Sequence, residues 1–519
     1  MILASRSRST VWGTLSLAFF LLVIGIFSGL AIAVVGPVAA AVLSIVMLGA
    51  MAFFLPLPWL VITLFAASFL VTGQLIYFGR QERALWLPFL LGALILVRYP
   101  FDRMLRGRQA IGLSVTARAD GLSLFGFCLL MYFSVAVGST AINLVAPLQI
   151  FVTSKEYIFL WGIYLVIGAG LVAPGLAIRI WAWLPWLMVF QLPLVFYQRF
   201  VVAPSRAARH VGAEWDAIVG AFGGNPESGG ASGAMGVFCV IAMAFVALRW
   251  RRGHLSTFQA AILMISGLLS IALAEIKFAV LLLPIAFGMA FLRDILYRPL
   301  RGVVGIFVAL MLSAIVLFSY KLQYSTSQFK DESISEYFNS MFTSSSDPNF
   351  VNMRTREIGR TAAIKFWWQQ HGIDNPTQLL IGHGMGASRV GSMVVGDAAR
   401  PWPFDIGRSS LAVLLWETGL LGTTALVLAL LLACQRSFVL ANVVRVSPVD
   451  QTLCAGSGVV CVAVLCGLVY NTDFMLSHQT QLLLMLALGT LARVRLEVLG
   501  GAVTRQSSAE PAAMHGLPA

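Results

Sequence analysis

The sequence predicts an all-α polytopic membrane protein with about 12–14 transmembrane helices and one large outer loop between two late helices. Composition is the first reason: the 519 residues are 59% hydrophobic and only 11% charged, with a mean hydropathy of +0.87, whereas a soluble domain carries about 25% charged residues. Recurrence is the second, because apolar runs of ~20 residues, enough for one span, follow each other along the chain. Interruption is the third. From 321 to 408 the apolar pattern stops, and the chain becomes polar and arginine-rich before the pattern resumes.

Taken in order, apolar runs lie near 11–30, 31–54, 59–78, 84–97, 120–140, 156–175 and 180–198. The stretch 11–54 is too long for the apolar region of a signal peptide and lacks a small-residue cleavage site, so it reads as two spans. A smaller outer loop at 198–233 follows. Spans near 234–248, 255–273, 277–292 and 302–320 complete the N-terminal membrane part, 1–320. The large loop occupies 321–408. A C-terminal membrane part, 409–495, holds spans near 409–433, 453–470 and 475–492. The Ala/Ser/Pro-rich tail 496–519 is expected to be disordered and cytoplasmic.

Charge sets the orientation. With Arg6 and Arg8 in the cytoplasm, the clusters Arg98/Arg103/Arg106/Arg108, Arg249/Arg251/Arg252, Arg293/Arg298/Arg301, Arg436/Arg445 and Arg493/Arg495 all fall on the inner side. This satisfies the positive-inside rule, with both termini cytoplasmic and both larger loops outside. The net charge of +13 is therefore topogenic and implies no nucleic-acid partner. Residues 99–118 read as a basic amphipathic helix held by anionic membrane lipids. The six cysteines sit in or beside apolar stretches without metal-type spacing, so neither a structural disulfide nor a zinc site is expected. No cofactor motif is present.

The outer loops hold the candidate chemistry. Asn352 to Gln370 reads as a helix with Asn352 as N-cap. At helical spacing Arg356, Arg360 and Trp367 share one face, while Ile358, Ala362 and Phe366 form an apolar stripe that can pack on the membrane part. Arg354 precedes them. Two arginines one turn apart can grip a diphosphate, with the aromatic stacking on a sugar; the same spacing fits a solvated helix equally well. Arg408 opens the helix after the loop, where a cation opposes the helix dipole. Either an anionic ligand or an ion pair with Asp405 accounts for it, and Ser409 or Ser410 can cap. Glu417, about 13 Å into that helix, is an ionisable group inside a span, serving either as a functional residue or as a buried structural acceptor. Glu275 and Lys277 flank a short outer turn and can pair with each other or with the loop arginines. His383, in Gly382-His383-Gly384-Met385-Gly386, is either a general base or part of a tight turn; His478 is a weaker candidate.

Four features together resemble the O-antigen ligase/polymerase superfamily of membrane glycosyltransferases. One is Arg360, Trp367, Pro376, Gly382 and Gly384 in order. Another is E-x-G-x-x-G at Glu417, Gly419 and Gly422. A third is Gln198 followed by Asp216, Gly220, Phe222 and Gly223, with Arg199 beside the glutamine. The last is the layout, with many spans and one large late outer loop. The resemblance implies metal-independent transfer of undecaprenyl-diphosphate-linked glycan on the periplasmic face of the bacterial inner membrane. On this resemblance Arg360, Arg356 and Arg408 hold the diphosphate; Asp216, His383 or Glu417 acts as base; and Arg354, Trp367, Gln198, Arg199 and Lys277 line the substrate. It also brings in a flippase and a chain-length regulator as partners. Ligase-like members begin the post-loop helix with His-Asn, where this chain has Arg408-Ser409. That departure favours a polymerase of exopolysaccharide, capsule or O-antigen over a ligase acting on lipid A-core or protein. A flippase or transporter is the third class, but no internal repeat supports it.

Overall fold

The computed structural model describes residues 49, 51–106, 123–208, 217–225, 229–324, 347–353, 356–391 and 394–513. The expected spans 11–30 and 31–54 fall almost wholly outside these residues, as do Arg354, Asp216 and most of the expected amphipathic helix 99–118. The chain divides into two compact units, Met1–Leu60 and Val61–Ala519, and every candidate residue lies in the second.

The protein is an all-α polytopic membrane protein. Among the described residues nine helices are long and apolar enough to cross a membrane. They are α1 (Leu57–Tyr77), α2 (Glu82–Leu105), α3 (Leu124–Ile142), α4 (Pro147–Gly168), α5 (Pro174–Ser205), α6 (Ser232–Arg251), α9 (Gly302–Tyr320), α12 (Ser410–Asn442) and α13 (Pro448–Tyr470). Two shorter apolar helices, α7 (Thr257–Leu273) and α8 (Lys277–Ala290), lie between α6 and α9. Between α9 and α12 come the short helices α10 (Arg360–His371) and α11 (Pro376–Ile381). The last helix, α14, runs His478–Ala513; its apolar run, 482–492, is bounded by polar residues at 478–481 and by Arg493 and Arg495. The only sheets among the described residues are two-residue hairpins, β1 (Gly224–Asn225) with β2 (Gly229–Gly230), and β3 (Val351–Asn352) with β4 (Glu357–Ile358).

Local chemistry explains the boundaries. Ser123, Ser256, Ser409 and Ser447 cap α3, α7, α12 and α13, each accepting a hydrogen bond from the backbone N–H three residues on. Proline opens α4, α5 and α13, where its missing N–H costs nothing. The core lies where α12 packs against both α3 and α13, and where α14 packs on α4 and α13.

Three expectations change. Asn352 to Gln370 is not one helix: Asn352 sits in β3, Arg356 turns the hairpin with a positive φ of 56°, and Gly359 is the N-cap of α10. A residue in the left-handed region breaks a helix, so Arg356 cannot share a helical face with Arg360. The tail expected to be disordered from 496 continues α14 as far as Ala513, helped by the i,i+4 pair Arg493–Glu497 at 3.0 Å. Finally, the span expected at 156–175 starts earlier, at Pro147, which moves Lys155, Glu156 and Tyr157 from a helix end to a helix middle.

Candidate functional site

The glycine-rich run is the joint between the polar segment and the helices. Helix α12 breaks at Gly419, whose φ of 63° and ψ of −165° lie outside the helical region. A Cβ on Gly419 would meet the carbonyl of Leu380 at 2.5 Å, and one on Gly382 would meet the carbonyl carbon of Glu417 at 2.6 Å. Both positions therefore require glycine, for conformation and for contact. The peptides freed at the break are taken by the loop: the His383 N–H donates to the Trp416 carbonyl (2.8 Å) and the Gly384 N–H to the Glu417 carbonyl (3.0 Å). From α3 and α4, Asn143 donates to the Gly382 carbonyl and Gln149 to the Met385 carbonyl, both at 3.1 Å.

Glu417 closes this joint. It is 3% exposed. Oε2 accepts from Tyr157 OH (2.7 Å) and the Gly386 N–H (2.8 Å), and Oε1 accepts from Ser388 Oγ (2.7 Å). With three protein donors, its carboxylate fastens the loop to α4. One step further, Arg389 pairs with Glu156, and Lys155 lies 3.8 Å from Glu156 with its Nζ 4.6 Å from the centre of the Trp86 ring. A π turn at Lys155–Phe159 aims these residues inward.

A basic cluster forms at the head of α12. Arg360 donates from Nε to the Tyr470 carbonyl, and its guanidinium lies 4.0 Å from the centre of the Tyr470 ring. That ring stacks on Phe278 at 4.4 Å, the residue after Lys277. Lys277 itself pairs with Glu275 at 3.9 Å. Arg408 pairs with Glu357 at 2.7 Å, not with Asp405; Asp405 instead accepts from the Gly407 N–H. Burial lowers the Arg360 pKa, Tyr470 opposes that shift, and the Arg408 charge adds to it. Both arginines thus act on one region. Burial raises the Asp405 pKa, against the Gly407 N–H and Arg408. After Tyr470 the chain turns through Asn471, whose carbonyl accepts both the Ser410 N–H and its Oγ. Asp473 follows, bonded to the Asn471 amide; burial pushes its carboxyl up to about 7.

A histidine pair forms at the other end of α10. His371 Nδ1 lies 2.8 Å from the Trp367 carbonyl, and its Nε2 lies 2.7 Å from His383 Nε2. A carbonyl only accepts, so His371 carries its proton on Nδ1 and its Nε2 is the acceptor. His383 must then donate from Nε2, which leaves Nδ1 as its basic nitrogen. Burial first, and His371 second, lower the His383 pKa to about 4. Trp416 packs on both rings. Trp367 is 3% exposed, in an apolar cluster with Ile358, Ala362, Phe366 and Trp416. The expected apolar stripe therefore does pack on α12, but Trp367 joins it and does not share an outer face with arginines.

The remaining candidates separate from these groups. Gln198 is fully buried; its Oε1 accepts from the Val219 and Gly220 N–H groups at 2.9 and 2.7 Å, and its Nε2 donates to the Gly220 carbonyl. It holds the backbone of the smaller loop, so its polar atoms are taken up within the protein. Arg199 follows it on the same π turn. His478 is buried against the Ser68 carbonyl. The exposed Arg356 contributes its carbonyl to the Asp405 N–H. Tyr470, Asp473, His371 and the Lys155–Tyr157 triplet were not anticipated. Only the triplet carried a signal, as three consecutive ionisable residues in an apolar stretch. Among the described residues no group of three or more His, Cys, Asp or Glu could hold a metal ion. No protein-family model matches this chain, and no curated protein matches it.

Proposed function

We propose that this chain is a membrane glycosyltransferase that polymerises undecaprenyl-diphosphate-linked oligosaccharide repeats on the periplasmic face of the bacterial inner membrane. The observation that carries the reading is that Arg360, whose guanidinium lies on the Tyr470 ring, and Arg408, which pairs with Glu357, act on one region at the head of α12. An acceptor hydroxyl attacks the anomeric carbon, and the bond to the diphosphate breaks with its electron pair. Negative charge grows on the leaving diphosphate, where preorganised guanidinium groups stabilise the transition state, and the N-terminus of α12 adds its own attraction for an anion. Asp473 is the preferred proton acceptor, since a carboxyl that titrates near neutrality three residues beyond Tyr470 suits general-base chemistry. A flippase supplies the lipid-linked repeat, and a chain-length regulator is the expected partner.

The test is polymer synthesis by variants at normal protein level. Arg360→Ala should abolish polymer, and Arg360→Lys should recover little, because a point charge cannot replace a planar fork. Normal polymer from Arg360→Ala refutes the reading. In a deletion strain, single lipid-linked repeats are expected; accumulation of long lipid-linked chains would assign the protein to the ligase class instead.

A further inference from the structure

The chain turns between α8 and α9 through an elbow on the membrane face opposite the basic cluster. Helix α8 starts beside that cluster, where Phe278 stacks on Tyr470, and ends at Ala290. A short helix follows, Leu292–Tyr297, and the helix that carries α9 begins at Pro299. The elbow is built tightly onto the protein. Asp294 is buried and pairs with Arg251 at the end of α6. A Cβ on Gly302 would meet the Ile295 Cα at 2.5 Å, so the start of α9 lies directly on the short helix. These contacts use one side of it.

The other side carries Arg293, Leu296 and Tyr297, whose i, i+3 and i+4 spacing gathers them on one face, and Arg298 follows. Both arginines are exposed, and Leu296, Tyr297 and Leu300 are 58%, 71% and 85% exposed. From Leu300 the exposure runs on along α9 through Val303, Val304 and Phe307, at the helical spacing of a single stripe. On a helix apolar enough to cross a bilayer, such a stripe faces lipid. The elbow therefore sits where the lipid-facing stripe meets water, the level at which tyrosine rings and arginine side chains are favoured.

Positive charge at the elbow exceeds what its fold uses. Arg251 is taken by Asp294. Neither the Arg293 nor the Arg298 side chain has an ion-pair or hydrogen-bond partner among the described residues. Arg252 lies close enough for the charges of Arg251 and Arg293 to act on it. At the neighbouring ends of α13 and α14, Asp450 and Glu497 are already engaged by Arg493. Uncompensated guanidinium groups beside an apolar stripe fit a ligand that has both an anionic head and hydrocarbon chains. A zwitterionic lipid would bring a second cation to the same place, and a soluble acidic partner would leave the stripe beyond Leu300 uncovered.

We propose that this elbow binds an anionic phospholipid, with its phosphate against Arg293 and Arg298 and its acyl chains along Leu300, Val304 and Phe307. The site stands independently of the glycosyl-transfer reading, because it shares no residue with the basic cluster.

The experiment uses the full chain in phosphatidylcholine nanodiscs doped with a phospholipid that carries a diazirine in one acyl chain, under either a phosphatidylglycerol or a phosphatidylcholine headgroup. The glycerol form should label peptides from residues 293–307 at least about fivefold more than the choline form, a factor that corresponds to ~1 kcal/mol. Peptides carrying the lipid-exposed Leu428 and Leu431 of α12 should not discriminate between the two. Raising the salt from about 0.1 M to about 1 M shortens the screening length from ~10 Å to ~3 Å and should lower the preference. Replacing both Arg293 and Arg298 by Gln should remove it. Should that double variant fold poorly, the salt series on the unaltered chain makes the same test. Equal labelling of the elbow by the two headgroups, a preference that persists in the double variant, or cross-linking of one elbow to a second copy in place of a lipid adduct would each overturn the proposal.

Discussion

Replacing Glu417 by Ala separates the two roles its position allows. Here the carboxylate is a clamp: it takes hydrogen bonds from Tyr157, Gly386 and Ser388, all at 2.7–2.8 Å and all buried. The side chain is 3% exposed, and its three donors have no water to turn to when it is removed. Side-chain hydrogen bonds inside membrane bundles measure about 0.6 kcal/mol on average and up to ~1.7, while charged acceptors in soluble proteins reach about 1.5–3 kcal/mol each. Three bonds at the membrane values give about 2–5 kcal/mol. That is enough to loosen residues 382–391 locally around Gly386, while Gln149 and the Glu156–Arg389 pair still tie the loop to α4 and the Trp416 and Glu417 carbonyls still hold it to α12.

Hydrogen exchange at the Gly386 amide reads this directly, because that N–H is itself one of the three donors. In the regime where exchange reports local opening, about 2–5 kcal/mol becomes a loss of protection of roughly thirtyfold to several-thousandfold. Peptides from α13, away from the clamp, should keep their protection. Unchanged exchange at 382–391 in Glu417→Ala, together with lost activity, would refute the clamp and leave Glu417 as a chemical group.

Three further expectations follow from the same geometry. His383 has its pKa lowered from 6.5 to about 4 in the fold, so below pH 6.5 the unfolded chain takes up a proton that the folded chain refuses; stability should be full above pH 6.5 and decline toward pH 4, followed by Trp fluorescence, and His383→Gln should flatten the profile. Polymer synthesis should rise as the pH passes through about 7, where Asp473 loses its proton, and Asp473→Asn should abolish both the activity and that limb; an unshifted limb in an active Asp473→Asn excludes it as base. A cysteine at the exposed Asp397 should react with a membrane-impermeant reagent from the periplasm, while one at Val444, 95% exposed between α12 and α13, should not; the opposite result inverts the topology.

Helices were legible in the sequence because apolar periodicity and length are local properties. A serine cap on α12 was legible for the same reason, at Ser409 or Ser410, and Ser409 is the one that caps. What could not be read was how residues distant in sequence meet. Lys155 and Glu156 looked like the end of a span, because charges are expected there, but the helix starts at Pro147 and is charged in its middle; the partner that makes this tolerable, Arg389, lies 233 positions away. Arg356 and Arg360 had helical spacing, but nothing local announced a positive φ at an arginine. Gln198 was expected to line the substrate, and it holds the backbone of Val219 and Gly220, because spacing cannot tell a side chain that faces a ligand from one that holds backbone.

The helix α10 also decides which groups can serve one reaction centre. Its 12 residues run from Arg360 to His371, about 17 Å at ~1.5 Å per residue. A diphosphate gripped at the arginine end lies beyond hydrogen-bond reach, ~3 Å, of an imidazole at the other. If the chain polymerises lipid-linked repeats, the bond that breaks lies beside Arg360 and Tyr470, and the proton acceptor belongs on the same side. Asp473 meets that condition through the chain itself, since Tyr470 and Asn471 already bind Arg360 and Ser410. The histidine pair, enclosed by Trp367 and Trp416, then works as part of the fastening between α10, the glycine-rich loop and α12. Loss of His383 should lower stability and leave residual polymer, whereas loss of Asp473 or Arg360 should remove polymer from a stable protein. The reverse pattern would move the chemistry to the histidine end and make the arginine cluster a structural contact.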